Sequence, residues 1–291
     1  MRTRAWIFAL TIACACDKGG DAAKTEASKS DPKAAATSDA KGTPTAAGDE
    51  GGGDHLPEAG ALLEQAVAAV GGREKIDAVK SWYVEGELSV SGQNITGGMK
   101  LWWKEGDFYT EQTMVGIGTI RGGKQGEVIW SEDPINGLRK LSGAEAEQYS
   151  WGSSLLLAAD WQRYFASANT ITARELDGKQ VYDVELTSKS GAKVTLTFDA
   201  KDGLQVAQAF KGSTPLGEMP IAVKLQDYRE VDGLKLPFRQ VTDAKLAEAT
   251  QQITKMELNG PVDAAKFAMP TGGAEVVKPG PPQPDQPLGT Q

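Results

Sequence analysis

The sequence predicts an α+β domain, mainly β, built on a continuous antiparallel sheet with a helical cover. Three observations predict it. Stretches of alternating apolar and polar residues recur, Gly-containing turns separate them at short intervals, and no strand–helix–strand alternation occurs. The last point argues against a parallel doubly wound sheet.

The domain opens with helix. From Glu58 to Val70, the residues Leu62, Leu63, Ala66, Val67 and Val70 fall on one apolar face, and Gly71-Gly72 stops it. Arg73 to Val79 reads as a second, short helix with Ile76 and Val79 inward. The period then changes to two. Trp82, Val84, Gly86, Leu88 and Val90 alternate with polar neighbours and Tyr83, as a half-buried antiparallel strand requires. A turn at Gln93-Asn94 leads to Met99, Leu101 and Trp103, which alternate with Lys100, Trp102 and Lys104. Glu105-Gly106-Asp107 turns the chain into Phe108 to Met114, followed by Gly116 to Arg121 and Val128 to Ser131.

A helical interlude follows. Ser142 with Glu145 forms a capping-box pattern ahead of Ala144 to Tyr149, and Leu155 to Phe165 is rich in helix formers. Strands resume over Gln180 to Ser188, Lys193 to Phe198, Leu204 to Phe210, Ile221 to Tyr228, Leu234 to Thr242 and Gln251 to Leu258. Asp202-Gly203 is a strong hairpin signal between two of them. The count is about ten strands and two helical regions.

The ends of the chain read differently. Arg2 and Arg4 precede the uncharged run Ala5 to Ala13, and Ala13-Cys14-Ala15-Cys16 follows. A positive start, a short apolar core and a small-residue exit define a secretory signal peptide. The run is shorter than the roughly 20 apolar residues of a spanning helix. The exit resembles a bacterial lipobox, with Cys16 as the lipidated residue and Cys14 as the alternative register. Leu three positions earlier is absent in both registers. An ordinary cleaved signal with incidental cysteines is the competing reading. The resemblance implies a signal peptide over 1–16 and a stable acyl anchor to a membrane.

Residues 17–57 contain Ala, Gly, Lys, Asp, Ser and Thr, with Leu56 the one large aliphatic residue and no aromatic. Such a segment cannot bury enough apolar surface to offset its ordering entropy, so it reads as a disordered tether. A coil of roughly 40 residues spans roughly 35–40 Å root-mean-square. Residues 271–291, rich in Pro and Gly, read as a disordered tail. One folded domain, 58–270, remains.

Several chemistries lack their residues. The two cysteines sit at the signal exit and the single histidine, His55, in the tether, so neither a Cys nor a His metal site nor a Ser-His-Asp arrangement can be built in the domain. The segment Gly116 to Gly123 (GIGTIRGG) lacks the Lys-Ser/Thr ending of a phosphate loop. The net charge of −8 and scattered Lys and Arg disfavour nucleic acid. Asp160, Asp183, Asp199 and Asp227 are candidates for a carboxylate pair, although acidic residues at strand ends are usually solvated. The domain's tryptophans read first as core, and alternatively as the lining of an apolar cavity.

The second half carries a resemblance. GKQVYDVELTSKSGAKVTLTFDAKDGLQVAQ (178–208), LQDYREVDGLKLPFRQV (225–241) and ITKMELNGPVDAAKFAMP (253–270) resemble segments of the outer-membrane lipoprotein carrier-like (LolA/LolB-like) lipoprotein-sorting family. The opening LLEQAVAAVGGREKIDAVKSWYVEGEL is similar to the family's helix, Gly-Gly break and first strand. The resemblance spans most of 58–270 and implies a strongly curved antiparallel sheet, an open half-barrel, with helices in its concave face. It further implies an apolar cavity between the layers. Trp82, Leu101, Trp103, Leu156 and Phe198 are expected to border that cavity, because the pleat puts the strand residues among them on apolar faces that need cover. Phe267 and Met269 are expected to plug the sheet after its last strand.

The expected protein is therefore a lipid-anchored envelope lipoprotein, non-catalytic and without cofactor, binding a lipid or an acylated protein in that cavity. A role in lipoprotein or lipid sorting fits the family. Anchoring is more like the family's outer-membrane acceptor than its soluble shuttle, and favours the outer membrane. Asp17, directly after Cys16, would instead favour inner-membrane retention under the rule of some enteric bacteria. The alternative function is a non-catalytic structural or interaction module with a filled core. The sequence names no protein partner.

Overall fold

A computed structural model describes residues 56–152, 154–214, 217–244 and 247–271. The expected signal peptide, the candidate lipidation sites Cys16 and Cys14, and nearly all of the expected tether and tail lie outside the described residues. The described chain begins with α1 (Ala59–Val70) and α2 (Arg73–Ala78). Six strands follow: β1 (Ser81–Val90), β2 (Ile95–Lys104), β3 (Asp107–Met114), β4 (Gly118–Gln125), β5 (Val128–Asp133) and β6 (Gly137–Lys140). After α3 (Gly143–Trp151) and α4 (Leu157–Tyr164) come β7 (Phe165–Leu176), β8 (Lys179–Ser188), β9 (Lys193–Asp199) and β10 (Gln205–Thr214). The chain closes with β11 (Gly217–Val231), β12 (Leu234–Asp243), β13 (Glu248–Leu258) and a 3₁₀ turn at Ala264–Phe267.

All the strands form one antiparallel sheet, in the order β6-β5-β4-β3-β2-β1-β13-β12-β11-β10-β9-β8-β7. Two meanders are joined along β1 and β13. The sheet is curved and unclosed, an open half-barrel with helices on its concave side. The expected count of about ten strands is low because β6 and β7 carry no apolar alternation. β6 is the four residues GLRK, and β7 (FASANTITAREL) is an edge strand with exposed residues on both faces.

The alternation fixes the faces. Trp82, Val84 and Leu88 in β1, Met99, Leu101 and Trp103 in β2, and Val184, Leu186, Leu196 and Phe198 in β8 and β9 are all buried on the concave side. α1 covers part of it, burying Leu62, Leu63, Ala66, Val67 and Val70 against α4, β7 and β12. At its end Gly71, at φ 136°, donates to the Ala68 carbonyl and Gly72 to that of Val67, which satisfies orphan carbonyls of the last turn. Asp232-Gly233 turns between β11 and β12 with φ 50° and 76°, the paired positive values of a tight hairpin that a Gly accepts without strain.

Two expectations meet corrections in detail. Ser142 precedes α3 but its side chain caps nothing, because Glu145 instead pairs with Arg139 at 2.6 and 2.7 Å. The helix expected over Leu155 to Phe165 is shorter, since Leu156 is extended and Phe165 already belongs to β7. Pro237 lies in an interior strand, yet β12 pairs with β13 only from Arg239 onward, so its missing N–H costs no bond on that side.

α3 spans the concave side. Its first turn is held to β6 by the Arg139–Glu145 pair. Near its end the Gln148 amide donates to the Lys211 carbonyl and accepts from the Ser213 N–H, both in β10. On the opposite face Tyr83, Trp102, Tyr109 and Trp130 form a continuous aromatic row, with centroids 5.1, 5.6 and 6.1 Å apart. Phe267 is buried and its carbonyl accepts from Trp130 Nε1 at 3.0 Å, so the 3₁₀ turn covers this row, with Met269 half-buried beyond it.

Candidate functional site: the concave face

Three apolar clusters occupy the concave side. The first holds Trp82, Val84, Leu101, Trp103 and Phe108 beneath Val67, Val70 and Ile76. Trp82 and Trp103 sit in directly paired positions and stack. The second holds Leu62, Leu63, Trp151, Leu157, Phe165, Val184, Leu196 and Phe198. The third consists of Leu88, Met114 and Ile120, with Ile95 and Ile117 against it, all from strands and their turns.

The five expected cavity residues therefore divide. Trp82, Leu101 and Trp103 lie in the first cluster and Phe198 in the second, all at most 4 % exposed. Leu156, half-buried, packs against both. It immediately precedes α4, whose N-terminus receives no side-chain cap. α4 is tied from below by Arg73, which donates to the Ala159 carbonyl at 2.6 Å, and by Ser154, which donates to Asp160 at 2.8 Å. Burial raises the Asp160 pKa above that of an ordinary aspartate, against the pull of the Ser154 hydrogen bond.

Between the clusters the concave face carries buried polar side chains that sequence reasoning passed over. Gln112, Ser131, Gln240, Thr242 and Gln251 are all under 7 % exposed. Neither amide atom of Gln251 has a hydrogen-bond partner, nor do Ser131 Oγ, Trp103 Nε1, Trp151 Nε1 and Tyr164 OH. Buried polar atoms are rarely left in this state. The signal was present for Gln251: it alternates with Thr250 and Gln252 and shares its parity with Ala249 and Ile253.

The carboxylate candidates do not assemble. Asp183 takes two bonds from Arg174, at 2.6 and 3.1 Å, and one from Thr197 at 2.6 Å. Asp199 takes Lys179 at 2.7 Å and Asp227 takes Arg229 at 2.6 and 3.0 Å. Each is held by partners of its own, the buried Asp183 and Asp199 as well as the exposed Asp227. Among the described residues no three His, Cys, Asp or Glu side chains group as metal ligands would.

A one-sided sheet open at both edges, with helices lodged in its hollow, defines the half-barrel class of the LolA type. The chain is similar to a LolA superfamily protein of Nitrosomonas europaea, with 14% identity and a TM-score of 0.50 over 73% of this chain and 98% of that one. It is also similar to a DUF1329 family protein of Desulfovibrio piger, with 13% identity and a TM-score of 0.52 over the same shares. At these identities the likeness is one of fold. No protein-family model and no curated protein sequence matches the chain.

Proposed function

We propose that this chain is a non-catalytic, lipid-anchored envelope protein that binds an acyl chain or a similar apolar ligand between its curved sheet and its helices. The anchor is the acylated Cys16, or Cys14 in the alternative register, on the outer membrane, with residues 17–57 as tether. Lipid or lipoprotein sorting is the role that accords with the half-barrel fold.

The observation that carries the reading is the seam at Leu156. Two separately packed apolar clusters meet there, under a short helix with an uncapped start. Local opening is easiest where few buried contacts and hydrogen bonds cross. A parted seam has Trp82, Leu101 and Trp103 on one wall and Phe198 on the other. Ten methylenes buried there contribute about 8 kcal/mol before association costs.

The test is titration of the full-length mature protein with a fluorescent fatty acid. Binding is expected, and Leu156→Arg should weaken it at least about tenfold while the circular dichroism of the sheet is retained. Failure to bind any of several lipid classes, with no co-purified lipid in native mass spectrometry, overturns the reading. The second reading, a structural or interaction module with a filled core, is favoured by the close stack of Trp82 on Trp103.

A further inference from the structure

We infer that the concave face at Gln251 is a seat for a neutral hydrogen-bonding group joined to the acyl chain, an ester or amide bearing a hydroxyl or N–H, and that it discriminates against a free carboxylate. The inference rests on the acyl-binding reading and specifies the ligand's polar end.

Gln251 lies in β13 at 1 % exposure, on the same face as the buried Ala249 and Ile253. The register sets it directly beside Leu88 of β1 and Gln240 of β12. Neither its Oε1 nor its Nε2 has a partner in the protein. A primary amide held this way offers donors and an acceptor side by side. A carbonyl adjoining an O–H or N–H satisfies both at once.

The surroundings set the charge and the polarity. On this face β13 presents Ala249, Gln251 and Ile253, and β12 presents Phe238, Gln240 and Thr242. The facing positions of β1 are Gly86, Leu88 and Val90, and those of β2 are Ile95, Gly97 and Met99. None of these twelve positions is charged. A carboxylate brought here would lose its hydration with no free cation in return, because the Arg229 guanidinium over the Phe238 ring already holds Asp227. Leu88 joins Met114 and Ile120 in the cluster made of sheet residues, so apolar surface adjoins the amide on its β1 side. An acyl chain that enters at the seam past Leu101 reaches this cluster, since Leu101 pairs with Val84, which lies four residues or about 13 Å from Leu88 along β1, and its ester or amide end then meets Gln251.

Displacement of a fluorescent acyl probe from the full-length mature protein tests this with ligands of one chain length: monooleoylglycerol, oleamide and oleate. Monooleoylglycerol and oleamide should bind about tenfold more tightly than oleate, the worth of a buried hydrogen bond. Gln251→Leu, close in size and apolar, should weaken monooleoylglycerol and oleamide about tenfold and oleate by less. Gln251→Met serves as the second variant if the Leu variant is unfolded by circular dichroism. Equal binding of the three ligands, or monooleoylglycerol and oleamide affinities that the substitution leaves unchanged, overturns the inference and leaves acyl binding standing. A variant that only gains thermal stability, with the affinities for monooleoylglycerol and oleamide unchanged, assigns the amide to trapped water and overturns it too. No binding of any of the three overturns this inference and the acyl-binding reading together.

Discussion

Trp82 lies flat on Trp103, with ring centroids 4.3 Å apart and planes 10° from parallel, in paired positions of β1 and β2. The pair joins sheet to helices, since Val67 and Val70 of α1 and Ile76 of α2 belong to the same buried cluster.

Trp103→Ala should therefore cost about 3–5 kcal/mol, as large-to-small changes at filled core sites do. Urea unfolding measures it, and the near-ultraviolet signal of the stacked indoles should vanish with it. A loss below about 1 kcal/mol would mean that the pair lines space instead of filling it.

Acid should act on two aspartates in opposite directions. Burial works against ionisation of Asp199, but the Lys179 ammonium at 2.7 Å and the backbone N–H of Lys201 outweigh it and hold the carboxyl below the ordinary aspartate value. With the folded value depressed, its stabilisation is present above about pH 4 and disappears as pH falls through the folded value. For Asp160 the folded value is raised, so ionisation above about pH 4 costs stability that acid restores. Asp199→Asn should lower stability at pH 7 and flatten the acid loss, whereas Asp160→Asn should raise stability at pH 7. Urea midpoints at pH 7 and pH 3 decide it, and equal shifts in both variants would contradict the assignment.

The anchor is checked by fractionation. Cys16→Ser, or Cys14→Ser in the other register, should move the protein from the membrane to the soluble fraction. Retention of the double variant on membranes would remove lipidation from the account.

Most of the sheet was legible because a half-buried strand writes its face into the sequence. Trp82, Val84 and Leu88 alternate with polar residues and Tyr83, and Val184, Leu186, Leu196 and Phe198 alternate with polar residues in β8 and β9. β7 was not, because an edge strand needs no continuous apolar face: Ser167, Asn169 and Thr170 satisfy it as well as Val or Ile would. Ser142 and Glu145 fit a capping box, and no local pattern could tell that Arg139, across a turn, would claim the glutamate. The cavity residues show the same limit. Alternation places Trp103 and Phe198 on concave surfaces, but their separation into two clusters depends on where α1 and α4 come down, which is a matter of tertiary contact. Gln251 went unnoticed because glutamine in a strand is ordinarily assigned to water.

The strand order has a consequence for how the chain reaches its fold. Every neighbouring pair in the sheet is consecutive in sequence except β1 with β13, where Trp82 lies beside Leu258. The meanders β1–β6 and β7–β13 can each zip from hairpin to hairpin at the speed of local contacts, while their junction waits for the largest loop to close. Among the described residues β13 is the last strand to be synthesised, and it occupies the inside of the sheet. A chain halted before Glu248 would hold two half-sheets, each with an open edge at the future junction. Those edges are templates for pairing with other chains until β13 is in place. The slow step of folding, and the period of greatest aggregation risk, should thus be the annealing of one interior strand to Ser81–Val90.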